Sequence, residues 1–302
     1  PGLQALCKKL NMNQAYINED DIAFMITPRI NAASRMGKPE DAFNLLSTSD
    51  LEEAEKLAAH LEQINNERKG VVASLVKDAK KRLAKRERLP NVLVIGNPEW
   101  RPALLGLVAN SLVEEYSRPA FVWGRDGDGV LKGSCRSFNG YDLFKLMSAT
   151  SEHFLEFGGH AGAGGFSVSL KNIPTLEEKL SKALEGLELT EEKEEKGIEL
   201  EIKDICEELW GVLSQVAPFG TGNPKPIFKI NSELLSVRQF GKENNHLEIV
   251  LPNNIKAISF FATPESYKSP LKIGLPINLH AHLEKSYFRS RPDLRLRIVD
   301  IK

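Results

Sequence analysis

The stretch Phe157-Gly158-Gly159-His160-Ala161-Gly162-Ala163-Gly164-Gly165-Phe166 sets five glycines and one imidazole between two phenylalanines. Glycine tolerates positive φ and lets a second group approach the backbone closely, so such a run is shaped around something. Two readings are open. In one, backbone amides form an anion-binding concavity to which His160 adds a side-chain donor, a combination that suits a phosphate. In the other, the run is a tight corner between elements, where the glycines serve packing and His160 caps a carbonyl.

Working outward, residues 142–156 read as a helix leading into the run, and 166–170 as a strand leaving it. Upstream, 92–95 is a short β-branched strand, 103–116 a helix closed by Pro119, and 120–123 and 130–135 are strands joined by a turn at Asp126-Gly127-Asp128-Gly129. Downstream, 175–187 closes the unit as a helix. Strands alternating with helices argue for an α/β domain with the glycine run as a loop between helix and strand. Arg136, at a strand end, is positioned to face it as a bidentate phosphate partner.

The 302 residues are 41% hydrophobic and 27% charged with a formal net charge of -1, an ordinary globular composition that excludes a globally basic nucleic-acid binder but not a local basic patch. No apolar stretch reaches the roughly 20 residues of a membrane span, and no charged-then-apolar leader opens the chain. Cys7, Cys135 and Cys206 lie far apart, without the spacing of a zinc site or a disulfide framework. A cytoplasmic protein is expected. The chain opens at Pro1 without an initiator methionine, which reads as a piece of something longer.

Residues 1–48 lack a self-sufficient apolar pattern and include 22–26 as a buried strand. They then give Pro28-Arg29-Ile30-Asn31-Ala32-Ala33-Ser34-Arg35-Met36-Gly37, where Arg29, Asn31 and Arg35 either bind phosphate or brace an interface. Ser49 with Glu52 reads as a capping box. Helical apolar spacing then runs without proline until Pro90, giving a rod of about 50 Å at 1.5 Å per residue, with Gly70 as its candidate kink. The lysines and arginines of its far half either track a nucleic-acid backbone or form a solvated face.

Residues 191–196 read as a charged linker, 198–202 as a strand, 206–216 as a helix, and Pro218-Phe219-Gly220-Thr221-Gly222-Asn223-Pro224 as a rigid turn-rich connection. Beyond it, short alternating runs at 228–230, 246–251, 257–261, 277–283 and 294–301 predict a small barrel of the OB type. Basic and aromatic residues interleave there: Arg238, Phe240, Lys242, His246, Tyr287, Phe288, Arg289 and Arg291. Aromatic platforms plus cations hold single strands, and Tyr287 and Phe288 beside Arg289 and Arg291 are the leading candidates. His280 and His282 alternate on one strand face but have no acidic partners for a metal.

Together the run at 28–37, Gly133-Ser134-Cys135-Arg136-Ser137, Gly158-Gly159-His160 and the run at 218–224 resemble, in order and spacing, the RecJ family of single-stranded-DNA-specific exonucleases in the DHH phosphoesterase superfamily. The resemblance covers essentially the whole chain. It implies an α/β plus β architecture. A DHHA1-type α/β domain (89–187) is joined by a long helix (49–88) to a DHH-domain remnant (1–48), and an OB-fold β-barrel follows (188–302, with a leading linker and helix). It further implies 5′ to 3′ degradation of single-stranded DNA in repair and recombination, using two divalent metals, manganese or magnesium. Those metals would be held by DHH aspartates and histidines upstream of this chain, so no metal site is expected here and the fragment alone is expected to be inactive. Arg136, Ser137, Gly158, Gly159 and His160 would hold a nucleotide phosphate, with His160 positioning substrate. The implied partners are single-stranded DNA and a single-strand-binding protein or helicase, the chain acting as a monomer.

The chain departs from the family pattern in places. Trp100-Arg101-Pro102-Ala103-Leu104 stands where the family has a tryptophan-histidine pair and a glycine-valine step, so Arg101 replaces the lost donor. Asn110-Ser111 replaces a serine-arginine, Ser34 a glycine, and Ser286 an asparagine. Two other functions stay open on the sequence: a non-catalytic nucleic-acid-binding scaffold, and a DHHA1-family phosphodiesterase with a different substrate.

Overall fold

The structure is a computed structural model that describes residues 1–125, 130–189, 197–241, 243–267, 269–287 and 292–302. The chain forms two compact units, one of Pro1–Gln14 with Ile22–Glu192, the other of Ala15–Asp21 with Lys193–Lys302.

The first unit begins with α1 (Gly2–Lys9), a π-helical turn (Asp21–Ile26), α2 (Thr27–Met36) and α3 (Pro39–Ser47). The expected strand at 22–26 is that π-helical turn, and none of its residues is buried. The three helices pack Leu6, Ala32, Ala33 and Leu45 against Ala54, Ala58 and Leu61 of α4 (Leu51–Leu83). The α4 helix is uninterrupted through Gly70. Its N-cap lies one residue beyond the expected box: Asp50 accepts from the Glu53 amide at 2.9 Å. Acids in the first turn and bases in the last suit the helix dipole. Burial along α4 is confined to its two ends, since after Asn65 the next buried residue is Ala79.

The far end of α4 packs on an α/β layer built from β1 (Leu93–Gly96), α5 (Leu105–Tyr116), β2 (Ala120–Arg125), β3 (Leu131–Arg136), α6 (Leu143–Ser148), β4 (Glu156–His160), β5 (Ala163–Val168) and α7 (Ile173–Glu185). The sheet order is β1-β2-β3-β5-β4, with β1 and β2 parallel and the other pairs antiparallel. One face is closed by α6 and α7 through Leu143, Leu146, Met147, Leu176 and Leu180 on Phe121, Leu131, Cys135, Phe166 and Val168. On the opposite face Leu105, Val108 and Leu112 of α5, with Ala79 and Leu83, cover Leu93, Ile95, Ala120 and Val122. Burial on that side fades across the sheet, and Gly158, Gly159 and His160 are exposed. At the outer edge of β1, the Val94 amide donates to Glu177 at 2.8 Å and the Val94 carbonyl accepts from Arg86 at 3.1 Å, while Arg86 and Glu177 pair at 2.6 Å.

The helix expected at 142–156 ends early: α6 stops at Ser148, a 3-10 turn follows at Ser151–His153, and 156 already begins β4. The glycine run is therefore a β-hairpin, not a loop between helix and strand.

The second unit contains β6 (Ile198–Glu199), α8 (Glu207–Val216), β7 (Phe228–Glu233), β8 (Ser236–Phe240), β9 (His246–Leu251), β10 (Ile255–Phe260), β11 (Pro276–Ser286) and β12 (Asp293–Ile301). Alternate residues, Phe228, Ile230, Leu247, Ile249, Leu251, Leu279, Leu283 and Leu296 among them, form one core. The expected closed barrel is not what forms. The sheet runs β6-β7-β11-β12-β10-β9-β8, and among the described residues no ladder joins β6 to β8. Two features mark the ends of this open sheet. The two-residue β6 adds outside β7. Between β7 and β8 the chain changes partners, the Leu234 amide donating to Leu275 and the Leu235 amide to Val250.

Candidate nucleic-acid interface

The hairpin β4–β5 is held in one conformation by its glycines and by its neighbours. Gly159 has φ +146°, and a Cβ there would lie 2.3 Å from the Ala163 carbonyl oxygen, so only glycine fits. The turn is pinned from outside: the Leu143 amide donates to the Ala161 carbonyl at 2.9 Å and the Ser137 amide to Gly162 at 3.0 Å. Beneath the hairpin Cys135 is packed, and burial pushes its thiol up to about 12, which leaves it an inert apolar group.

Strand register assembles the site. Arg136 of β3 pairs with Ala163 of β5, which pairs with His160 of β4. Directly opposed residues in antiparallel strands point to the same face, so the two side chains share a face at two strand spacings, about 10 Å. The next row is Ser134, Gly165 and Gly158. A trough results, floored by Ala163, Gly165 and Gly158 and flanked by Arg136 and His160. A Cβ on Gly158 would meet nothing within 4 Å, so packing does not demand glycine there.

The donors are oriented. Nδ1 of His160 accepts the Gly162 amide at 3.2 Å, which in a neutral imidazole leaves the proton on Nε2, free to donate. Arg136 donates through Nη1 to the Cys135 carbonyl at 2.8 Å, and its Nη2 would lie 2.8 Å from a Cβ on Gly106. Glycine in the first turn of α5 thus admits the guanidinium, at a helix end that itself favours anions. The hydroxyl of Ser137 donates to the Tyr141 carbonyl.

The other expected residues fall into separate places. Arg29 is buried at 7% exposure, with Nε 2.7 Å from Glu62 and Nη1 on the Met25 carbonyl. Burial pushes the Glu62 carboxyl up, but the hydrogen bond and charge of Arg29, with the Asn66 hydrogen bond and the Lys69 charge, together hold the group below its ordinary value. Asn31 is exposed on α2. Arg35 donates to the Ala103 carbonyl at 2.5 Å. Arg101 is exposed and, with Glu67, Gly70 and Glu99, lines a groove of about 640 Å³. Two residues on α4 escaped the sequence reading. Arg68, held low by burial and then by the charges of Arg35 and Arg29, has a buried Nε without a partner, and the Asn65 amide beside it is fully buried without one. The sequence showed them only as positions on a long polar helix.

In the second unit Tyr287 is stacked on Tyr16, centroids 4.2 Å apart, and Arg238 is paired with Glu248 at 2.7 Å. Lys242, Phe288, Arg289 and Arg291 lie outside the described residues. Phe240, His246 and Phe260 form a cross-strand row, with Arg297 over Phe260 at 4.1 Å. His282 lies 2.8 Å from the Pro226 carbonyl, and His280 is buried. Among the described residues no group of three or more histidine, cysteine, aspartate or glutamate side chains is placed to hold a metal ion, so the residues present do not fit one. Among them, too, no helix is long and apolar enough to cross a membrane.

Residues 89–186 match the DHHA1 domain family and residues 197–300 the RecJ OB domain. That pairing on one chain defines a member of the DHH/DHHA1 phosphoesterase superfamily. The single-stranded-DNA-specific exonuclease RecJ of Bacillus subtilis is 32% identical over 258 residues, which are 83% of this chain and 33% of that protein. The protein of the same name from Haemophilus influenzae is 28% identical, over 98% of this chain and 54% of its own length. The crystal structure of RecJ in complex with Mn2+ from Thermus thermophilus superposes over 100% of this chain and 44% of that one, with TM-score 0.78 at 24% identity, a likeness of fold. The chain belongs to the RecJ family. It spans about a third to a half of the length of these curated relatives.

Proposed function

We propose that the chain is the substrate-handling part of a longer RecJ-type single-stranded-DNA exonuclease of DNA repair and recombination, and that the trough between Arg136 and His160 holds a nucleotide phosphate. The observation that carries this is the register row Arg136–Ala163–His160, which sets a guanidinium and an oriented imidazole on one open face. In the whole protein the hydrolytic metals, manganese or magnesium, belong to a DHH domain, of which residues 1–48 are the end. Residues 49–88 connect it to the DHHA1 domain at 89–187, and 188–302 form the OB-type domain. Single-stranded DNA is the substrate, and a single-strand-binding protein or helicase is the protein partner of a cytoplasmic monomer.

Two measurements test this. Arg136→Ala in the 302-residue chain weakens oligonucleotide binding, and the log–log salt slope falls by about 0.7 for one lost single-strand phosphate contact. An unchanged slope removes Arg136 from the phosphate. In the full-length enzyme His160→Ala lowers turnover with affinity little changed, and unaltered turnover removes His160 from the mechanism. Incubated with labelled single-stranded DNA and manganese, the chain alone releases no mononucleotides; processive release would overturn the assignment of the metals to a DHH domain outside it.

A further inference from the structure

One face of the second unit's sheet carries a ring cluster of which the sequence marked Phe240 and His246 but neither Phe260 nor Phe261. Because Leu247, Ile249 and Leu251 of β9 point into the core, His246 points out, and register sets Phe240 and Phe260 on either side of it. Ring centroids are 5.2 Å apart in both neighbouring pairs. The next residue, Phe261, is 83% exposed and has φ +56°. Each property is unfavourable alone: a phenylalanine ring gains by leaving water, and a bulky residue avoids the left-handed region. The fold nevertheless holds the ring out. The Phe261 amide lies 3.0 Å from Nδ1 of His246, which also lies 2.9 Å from the Asn245 carbonyl, and the two rings meet edge to face at 4.9 Å. Such local strain, maintained by specific contacts, accumulates at ligand sites.

Charge beside the cluster has the sign a nucleic acid needs. Arg297 of β12 makes no salt bridge among the described residues and lies over the Phe260 ring instead. Tyr287, the ring expected to stack on bases, already has one face covered by Tyr16. Phe261 has no such cover.

We propose that Phe261 is a stacking platform for a nucleobase of a single strand, set against His246 and next to Phe260, over which the cation of Arg297 lies. The proposal rests on the reading of the chain as a single-strand handler and names where on it a base, as distinct from a phosphate, is held.

The test measures anisotropy of a labelled thymidine oligonucleotide and of an abasic strand of equal length on the 302-residue chain, with Phe261→Gly and Phe261→Trp. Glycine relieves the left-handed backbone, so Phe261→Gly keeps or raises the melting temperature while removing the ring. Affinity for the thymidine strand falls about 5- to 150-fold, the range for losing one stacked base. Affinity for the abasic strand does not move, and Phe261→Trp restores binding. An unmoved affinity in Phe261→Gly, or an equal loss on both strands, overturns the proposal while leaving the Arg136–His160 trough standing. A wild-type chain that binds neither strand overturns both together.

Discussion

Two adjacent glycines separate a folding role from a binding role in the hairpin. At Gly159 an alanine must hold φ near +146° with its methyl 2.3 Å from the Ala163 oxygen and 2.5 Å from the Gly164 Cα. A residue forced into such a region costs about 1–3 kcal/mol, and the backbone clash adds to it, so Gly159→Ala destabilises the first unit by about 3 kcal/mol. At about 2–4 °C per kcal/mol for a unit of this size, its melting temperature falls by roughly 6–12 °C. At Gly158 the same methyl meets nothing, and the cost stays within about 0.5 kcal/mol. The methyl stands, however, on the trough floor in the row next to that of Arg136 and His160. Gly158→Ala is therefore expected to melt within about 2 °C of wild type and to bind a single-stranded oligonucleotide about tenfold more weakly, a loss of about 1.4 kcal/mol. Calorimetry and anisotropy on the pair of variants read both quantities. If Gly158→Ala melts as early as Gly159→Ala, the assignment of the open face is wrong; if it binds as wild type, the trough does not hold the strand.

Other outcomes follow from the helical part of the first unit. Glu62→Ala leaves Arg29 buried without its carboxylate and costs about 3–5 kcal/mol, measurable by urea unfolding. Because the folded Glu62 carboxyl lies below 4.5, its contribution is complete above that pH and is lost as pH falls through the lowered value, so Glu62→Gln flattens that part of the acid limb of a stability–pH profile. Gly70→Ala, in a helix interior with open space for the methyl, stabilises by about 0.5–1 kcal/mol. Asp50→Ala removes the α4 cap and costs about 1 kcal/mol in the same assay.

What the sequence revealed followed the strength of its periodicity. The α4 helix was legible because its apolar spacing persists for nine turns with no proline, and the order of the four motifs identified the family. The β4–β5 hairpin was hidden because glycines carry no alternation: with Gly158, Gly159, Gly164 and Gly165 there is no inside and outside to read. The β8 strand escaped for a related reason, since Val237 packs only partly on the core and its flanking side chains face out. The barrel expectation failed at the two ends of the sheet, where among the described residues no ladder joins β6 to β8, a long-range pairing that no window of sequence contains. Within the candidate site, the sequence expected Arg136 to face the glycine run, and the structure adds the row that Arg136 and His160 share. Register shows that Arg136 and His160 share a row, helix packing that Arg29 is turned inward to Glu62, and the backbone that Phe261 stands in the left-handed region.

The two borders of the α/β sheet are treated in opposite ways. At β1 the amide and carbonyl of Val94 are met by Glu177 and Arg86, a side-chain imitation of a neighbouring strand, whereas β4 ends the sheet with an uncovered row of glycine backbone. An unprotected border is a template for any extended chain, including a misfolded copy of the protein itself. With β1 sealed by charge, β4 is, among the described residues, the border of this sheet left open to an extended polymer, and it lies beside the imidazole and guanidinium. Seen this way, the Arg86–Glu177 pair guards solubility: Glu177→Ala should promote concentration-dependent self-association through β1, while the border at β4 stays as receptive as before.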